Sequence, residues 1–230
     1  MTSAANVEIE SFKPLTRPEM ARLVANDIPE GWYVNLGIGI PTLVADQVPA
    51  DREVILHSEN GMLGMGPAPD ETNANPWLVN AGKSLVTLVT GGSYFEHAES
   101  FAIIRGGHLD LCVLGAYEVA ENGDLANWAT LDDLAKAPAV GGAMDLANGA
   151  RRIWVLMEHE TRDGQPRLRR RCAYPLTAAG CVRRVYTNLA VLDVTPQGFA
   201  VRSMVPGLSR KELQARTDAD LHFADEVSPA

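Results

Sequence analysis

Short apolar runs of strand length, each closed by a polar or glycine-rich turn, recur along the chain. They are Val54-Ile55-Leu56, Leu85 to Thr90, Leu109 to Leu114 and Ile153-Trp154-Val155-Leu156-Met157. A strand with one wet face would alternate apolar and polar residues. These runs do not alternate, so both faces must be covered, as in a parallel sheet carrying helices on its two sides. Helical signals lie between them. Thr16-Arg17-Pro18-Glu19 is a capping box, in which the Thr16 hydroxyl and the Glu19 carboxylate each satisfy a free backbone donor. Met20, Leu23, Val24 and Ile28 follow at helical spacing, and Gly31 closes that segment before a strand from Trp32 to Leu36. Gly37-Ile38-Gly39-Ile40-Pro41 is then a loop, with Pro41 placed to open a helix through Val48.

Towards the C-terminus the pattern changes. Leu189 to Val194, the turn Thr195-Pro196-Gln197-Gly198, and Phe199 to Met204 form a β-hairpin pattern. Ser209-Arg210-Lys211-Glu212 is a second capping box opening a last helix. The expected fold is α/β, an open and mostly parallel sheet flanked by helices, ending in a β-hairpin and a helix. There is no internal repeat and no linker, only a loop rich in Pro, Asp and Asn from Pro67 to Pro76. One domain over residues 12–220 is therefore expected, with flexible termini at 1–11 and 221–230.

Composition excludes several functions. No window approaches the run of about 18 apolar residues that a membrane span needs. Met1 to Glu10 lacks the basic-then-apolar order of a secretion signal, so a cytoplasmic location is expected. A net charge of −9 argues against nucleic acid as a partner. The one basic cluster, Arg167 to Arg171, has no interleaved aromatics and reads as a solvated strand or loop edge. Cys112, Cys172 and Cys181 form no C-x-x-C pair, and the five histidines show no ligand spacing, so neither a disulfide framework nor a metal site is expected.

In open parallel sheets, ligands gather at the carboxyl ends of the strands. Asn35-Leu36-Gly37-Ile38-Gly39, Ser58-Glu59-Asn60-Gly61 and Gly91-Gly92-Ser93 are placed at such ends, and Gly141-Gly142 precedes a helix. Each has a plain alternative. Gly37 and Gly39 can simply make a tight turn, and Glu59 can simply cap a helix.

Taken together, these segments resemble the class I CoA-transferases. His57-Ser58-Glu59-Asn60-Gly61-Met62-Leu63-Gly64 is similar to the S-E-N-G motif of that family. Tyr33 to Thr42, Gly123-Asp124-Leu125-Ala126-Asn127-Trp128, Val140 to Leu146, Tyr174-Pro175-Leu176-Thr177 and Tyr186 to Val191 continue the likeness, in family order, over residues 15–220. Ile103 to Asp110 and Pro138 to Gly142 look most like the branch that acts on 3-oxoadipate, whereas Ala129 to Lys136 and Thr177-Ala178-Ala179-Gly180 depart from it.

The resemblance implies that Glu59 is a nucleophile. It implies that Asn35, Gly37, Gly39, Gly141 and Gly142 surround the reacting carbonyl, and that no cofactor is permanently bound, CoA and acyl-CoA being substrates. It further implies a partner, the alpha subunit, in a heterodimer or heterotetramer. The substrates it points to are succinyl-CoA as donor and a 3-oxoacid as acceptor, 3-oxoadipate with acetoacetate as its competitor. A dicarboxylate acceptor would need a cation for its far end, for which Arg105 and Lys83 are candidates. Two rival readings of this architecture are a sugar-phosphate isomerase and a non-catalytic ligand-binding domain. The first would need a basic phosphate pocket beside the strand-end loops, and the second gives no reason for Glu59 to accompany two glycine turns.

Overall fold

The computed structural model describes residues 12–230, apart from positions 50, 71, 135, 137 and 138. The N-terminal stretch 1–11, expected to be flexible, lies outside the described residues. The chain opens with helix α1 (Arg17–Asp27), strand β1 (Tyr33–Leu36), a 3-10 helix (Ile40–Gln47), β2 (Ile55–Ser58) and β3 (Met62–Met65). It continues through β4 (Leu88–Tyr94), α2 (His97–Arg105), β5 (Leu111–Leu114), β6 (Glu118–Ala120), β7 (Leu125–Ala126) and α3 (Leu131–Leu134). Then come α4 (Ala143–Gly149), β8 (Ile153–Leu156), β9 (Leu168–Arg169), β10 (Val182–Tyr186), β11 (Ala190–Thr195), β12 (Gly198–Met204), α5 (Arg210–Ala215) and β13 (Leu221–Pro229).

Ten of these strands make one sheet, in the order β13-β12-β11-β10-β8-β5-β1-β2-β3-β4. Its centre, β10-β8-β5-β1-β2, is wholly parallel. Period-two alternation explains how the central strands are buried on both faces. Leu111 and Val113 of β5, with Trp154 and Leu156 of β8, face the layer of α1 and the 3-10 helix. Cys112, Leu114, Ile153 and Val155 face the opposite layer, which contains Ile104 of α2 and Leu146 of α4. Full burial of such a side chain contributes roughly 1.5–3 kcal/mol, so a polar substitution in either row would be costly.

Both expected capping boxes are present, on Thr16 with Glu19 and on Ser209 with Glu212. The carbonyls at the other end of α1 are satisfied by Arg52, whose guanidinium donates to Ala25, Asn26 and Ile28. The hairpin of β11 and β12 forms as expected. Among the described residues, no helix is long and apolar enough to cross a membrane.

Four expectations need correction. The helix from Pro41 is a 3-10 helix. Met62 to Met65, read only as apolar packing, is a strand antiparallel to β2. The strand expected over Leu85 to Thr90 runs instead from Leu88 to Tyr94, so Gly91-Gly92-Ser93 lies inside an edge strand and not at a strand's carboxyl end. Those glycines serve packing, because a Cβ at Gly64 would come within 2.9 Å of Gly92 Cα. Finally, residues 221–230 are not a loose tail. β13 adds to the sheet parallel to β12, with Leu221 opposite Phe199 and Phe223 opposite Val201. The basic cluster is also more engaged than a solvated edge, since Arg169 lies 3.4 Å from buried Glu118 and Arg170 pairs with Asp220.

Candidate active site

Glu59 sits on the corner of the β2–β3 hairpin, at the carboxyl end of β2. The turn closes through the Gly61 N–H donating to the Ser58 carbonyl at 3.0 Å. Gly61 has φ +113°, and a Cβ there would fall 2.1 Å from the Phe95 carbonyl oxygen, so no other residue fits this corner. Its neighbours hold the turn rather than the carboxylate. The Ser58 hydroxyl accepts from the Ala81 N–H at 3.1 Å, and the Asn60 amide donates to the Val79 carbonyl at 2.8 Å. Together they clamp the segment 79–81 beside the turn.

The Glu59 carboxyl projects into a cavity of about 470 Å³. Its walls are the carboxyl ends of parallel strands, Leu36-Gly37-Ile38 after β1 and Leu114-Gly115-Ala116 after β5, as expected for this sheet type. The third side is the Gly141-Gly142-Ala143 entry to α4. Gly142 lies so close that a Cβ built on it would stand 3.2 Å from Glu59 Oε2 and 2.8 Å from the Phe101 ring. Gly141 has φ +61°, which lets the chain turn into the helix. Gly37 must also be small, because a Cβ would meet Leu114 and the Val113 carbonyl oxygen at 3.1 Å. Gly39 does not line the cavity; its φ of +95° makes the turn into the 3-10 helix.

Among the described residues, no hydrogen bond reaches the Glu59 carboxylate oxygens. Burial raises its pKa above the ordinary carboxylate range, opposed by the charge of His97. A poorly solvated, unbonded carboxylate at the mouth of a cavity is suited to attack an electrophile.

Behind the nucleophile lies a buried polar chain. Asn35, 2% exposed, does not reach the cavity. Its amide donates to His57 Nδ1 at 3.0 Å and to the His57 carbonyl at 3.3 Å, while its oxygen accepts from the Cys112 thiol at 3.6 Å. With Nδ1 accepting, His57 carries its proton on Nε2 and donates to the Ser100 hydroxyl at 2.9 Å. Burial lowers the His57 pKa to about 4, so the ring is neutral at pH 7. The chain ties β5, β1, β2 and α2 together two residues from Glu59.

Neither proposed carboxylate-binding cation lines the cavity. Arg105 is held by Asp145 through Nε at 2.7 Å and Nη2 at 3.2 Å, which fastens α2 to α4. Lys83, with φ +64°, sits in the turn two residues beyond the lining residue Ala81. Two lining residues went unassigned in the sequence. Asn127 is fixed on the wall by donating to the Gly115 carbonyl at 3.1 Å and accepting from the Thr177 hydroxyl at 2.6 Å. Tyr117 follows the β5 exit. Asn127 and Thr177 each stand in a motif quoted above, so their meeting explains why both motifs accompany the nucleophile turn.

A family model described as coenzyme A transferase matches residues 17–215. The chain is 53% identical over 211 residues to the beta-type (B) polypeptide of 3-oxoadipate CoA-transferase from Acinetobacter baylyi, covering 92% of this chain and 97% of that one. It is 46% identical over 211 residues to the corresponding polypeptide of a probable succinyl-CoA:3-ketoacid coenzyme A transferase from Bacillus subtilis, with the same two coverages. Among solved structures, the acyl-CoA transferase YdiF of Escherichia coli O157:H7 shares the fold at a TM-score of 0.73 and 18% identity. The alignment covers 96% of this chain but only 44% of that one. By sequence over nearly its whole length and by fold, this chain belongs to the coenzyme A transferase family.

Proposed function

We propose that the chain is the nucleophile-bearing subunit of a transferase that moves CoA from succinyl-CoA to a 3-oxoacid, 3-oxoadipate before acetoacetate. The observation that carries this reading is the unbonded, half-buried Glu59 carboxylate packed against Gly142 in a cavity at the strand ends. The Glu59 oxygen attacks the thioester carbonyl, the C–S bond breaks, and CoA leaves as a thiolate from a mixed anhydride. The thiolate then attacks the Glu59 carbonyl carbon, releasing the donor acid and leaving a glutamyl-CoA thioester. The acceptor carboxylate attacks that thioester, and the returning thiolate takes the acceptor's acyl group and frees Glu59. No resident cofactor or metal is required, because CoA is itself a substrate.

Each step passes through a tetrahedral oxyanion, for which backbone N–H groups of the Gly141–Gly142 turn and of Gly37-Ile38 are the nearest donors. Loss of one such donor typically costs about 2.7–4 kcal/mol. Asn35 acts behind the cavity by fixing the strand that presents Glu59. Since Arg105 is engaged by Asp145, Lys83 is the better placed of the two cations for a far carboxylate. The acceptor preference follows the greater identity to the 3-oxoadipate enzyme than to the 3-ketoacid enzyme. The partner is an alpha-type subunit, since both relatives are named as one of two lettered polypeptides of their enzymes.

The test is the ratio of kcat/KM for 3-oxoadipate and acetoacetate, with succinyl-CoA as donor and the two subunits co-purified. A ratio above one is expected. A preference for acetoacetate would reverse the acceptor, and absence of thioester exchange with either would reject the reading.

A further inference from the structure

A second cavity, of about 510 Å³, opens at the amino-terminal ends of the central strands, with the sheet between it and Glu59. Its lining includes Trp32, Arg151, Arg152, Arg183, Arg184 and Asp193. The topology gathers them. Trp32 precedes β1, Arg151 and Arg152 precede β8, and Arg184 stands opposite Trp154 in the parallel pairing of β8 and β10. The register of that pairing slips between Val182 and Arg184, leaving Arg183 out of the ladder and exposed. Helix α1 covers this face of the sheet but stops at Asp27, so the strand ends beyond it are bare.

The four arginines differ in how they are held. Arg184 is braced by Asp27 at 2.9 Å and Asp193 at 2.5 Å, and Arg151 pairs with Asp110 at 2.8 Å. Arg152 lies over the Trp32 ring, 4.7 Å from its centroid, and Arg183 donates to the Gly180 carbonyl at 3.3 Å. Among the described residues, no carboxylate lies within 4.0 Å of either guanidinium. Two uncompensated guanidiniums thus sit together over two braced ones, in a chain whose net charge is −9. Like charges so grouped repel one another unless an anion joins them, and the guanidinium fork matches phosphoryl oxygens in geometry.

We propose that this cavity is a second, non-catalytic ligand site that binds a diphosphate group, with Arg152 and Arg183 as its direct donors. The group could come from inorganic pyrophosphate or from a nucleoside diphosphate, and the test separates the two. The full-length chain is titrated with pyrophosphate and with ADP by calorimetry at fixed ionic strength, alone and assembled with its partner subunit. Tryptophan fluorescence is followed in parallel, since Trp32 lines the site.

Saturable binding with a Kd below about 1 mM is expected. It should weaken at least tenfold in an Arg152→Ala, Arg183→Ala double variant and stay unchanged in Arg17→Ala, which alters an exposed arginine elsewhere. Both positions are exposed, so an unshifted melting temperature is expected for the double variant. Equal affinity for the two ligands supports a site for the diphosphate group itself, and tighter ADP binding supports a nucleotide site. The proposal is overturned by an absence of saturable binding, by wild-type affinity in the double variant, or by the same signal from sodium chloride. It is also overturned if assembly with the partner abolishes binding, which would make these arginines part of a subunit interface.

Discussion

Glu59 and Gly142 face each other at a separation that leaves no room for a methyl group, and this contact sets the behaviour of single residues in the site. In a Gly142→Ala protein the Glu59 carboxylate and the Phe101 ring must move. We expect kcat to fall tenfold to a hundredfold, roughly 1.4–2.7 kcal/mol, with melting nearly unchanged. A wild-type kcat would show that the carboxylate's position is not critical. Glu59→Gln keeps the shape and removes the charge, so transfer should drop by about a thousandfold or more. The same variant tests the raised pKa. A carboxylate whose folded pKa lies above its unfolded value destabilises the fold once ionised, and that penalty disappears as pH falls below the unfolded value of 4.5. Glu59→Gln should therefore melt higher than wild type at pH 7–8, with the difference closing towards pH 4. An equal difference at both pH values would contradict the burial argument. Glu59 was legible in the sequence because its motif is local. Asn127 was not, because what makes it a wall residue is Thr177, fifty positions away, and nothing local reports that hydrogen bond. Asn35 misled for the opposite reason, standing beside the right loop with its side chain turned to His57.

At the scale of elements, the parallel centre was readable because full burial removes alternation from the sequence, whereas the edges were not. The segment after Leu221 is polar and reads as a tail, yet its backbone completes the ladder along β12. Deleting residues 221–230 should leave Phe199 and Val201 without their backbone neighbours and lower the melting temperature by several degrees. An unchanged melting temperature would mean that β13 contributes nothing to stability. The buried histidines that join elements impose a second dependence. His57 links β1, β2 and α2, and His159 bonds Thr187 and Thr217, each with its pKa depressed to about 4 by burial. Their stabilising effect is complete above the unfolded value of 6.5 and is lost as pH falls towards 4, on the order of a few kcal/mol between them. Melting should drop between pH 7 and pH 5, less steeply in a His159→Asn variant. A slope unchanged by that substitution would remove His159 from the account.

For the molecule as a whole, the catalytic cavity supplies a nucleophile and glycine turns, but its lining contains no arginine or lysine to meet the phosphates of CoA. The chain also matches only 44% of the length of the single-chain transferase that shares its fold. On the proposed reading, the isolated chain should therefore show no transfer, and activity should return when the partner subunit is added. The central claim is narrower than a need for Glu59, because a general base would be lost in the same variants. Only a nucleophile becomes covalently joined to CoA. The most direct measurement is to incubate the assembled enzyme with succinyl-CoA and no acceptor, then reduce with borohydride and map the peptides. The account predicts inactivation, with one modified peptide that contains His57-Ser58-Glu59-Asn60-Gly61 and carries Glu59 as the alcohol. An active enzyme that forms no adduct, or a label on any other residue, would contradict it.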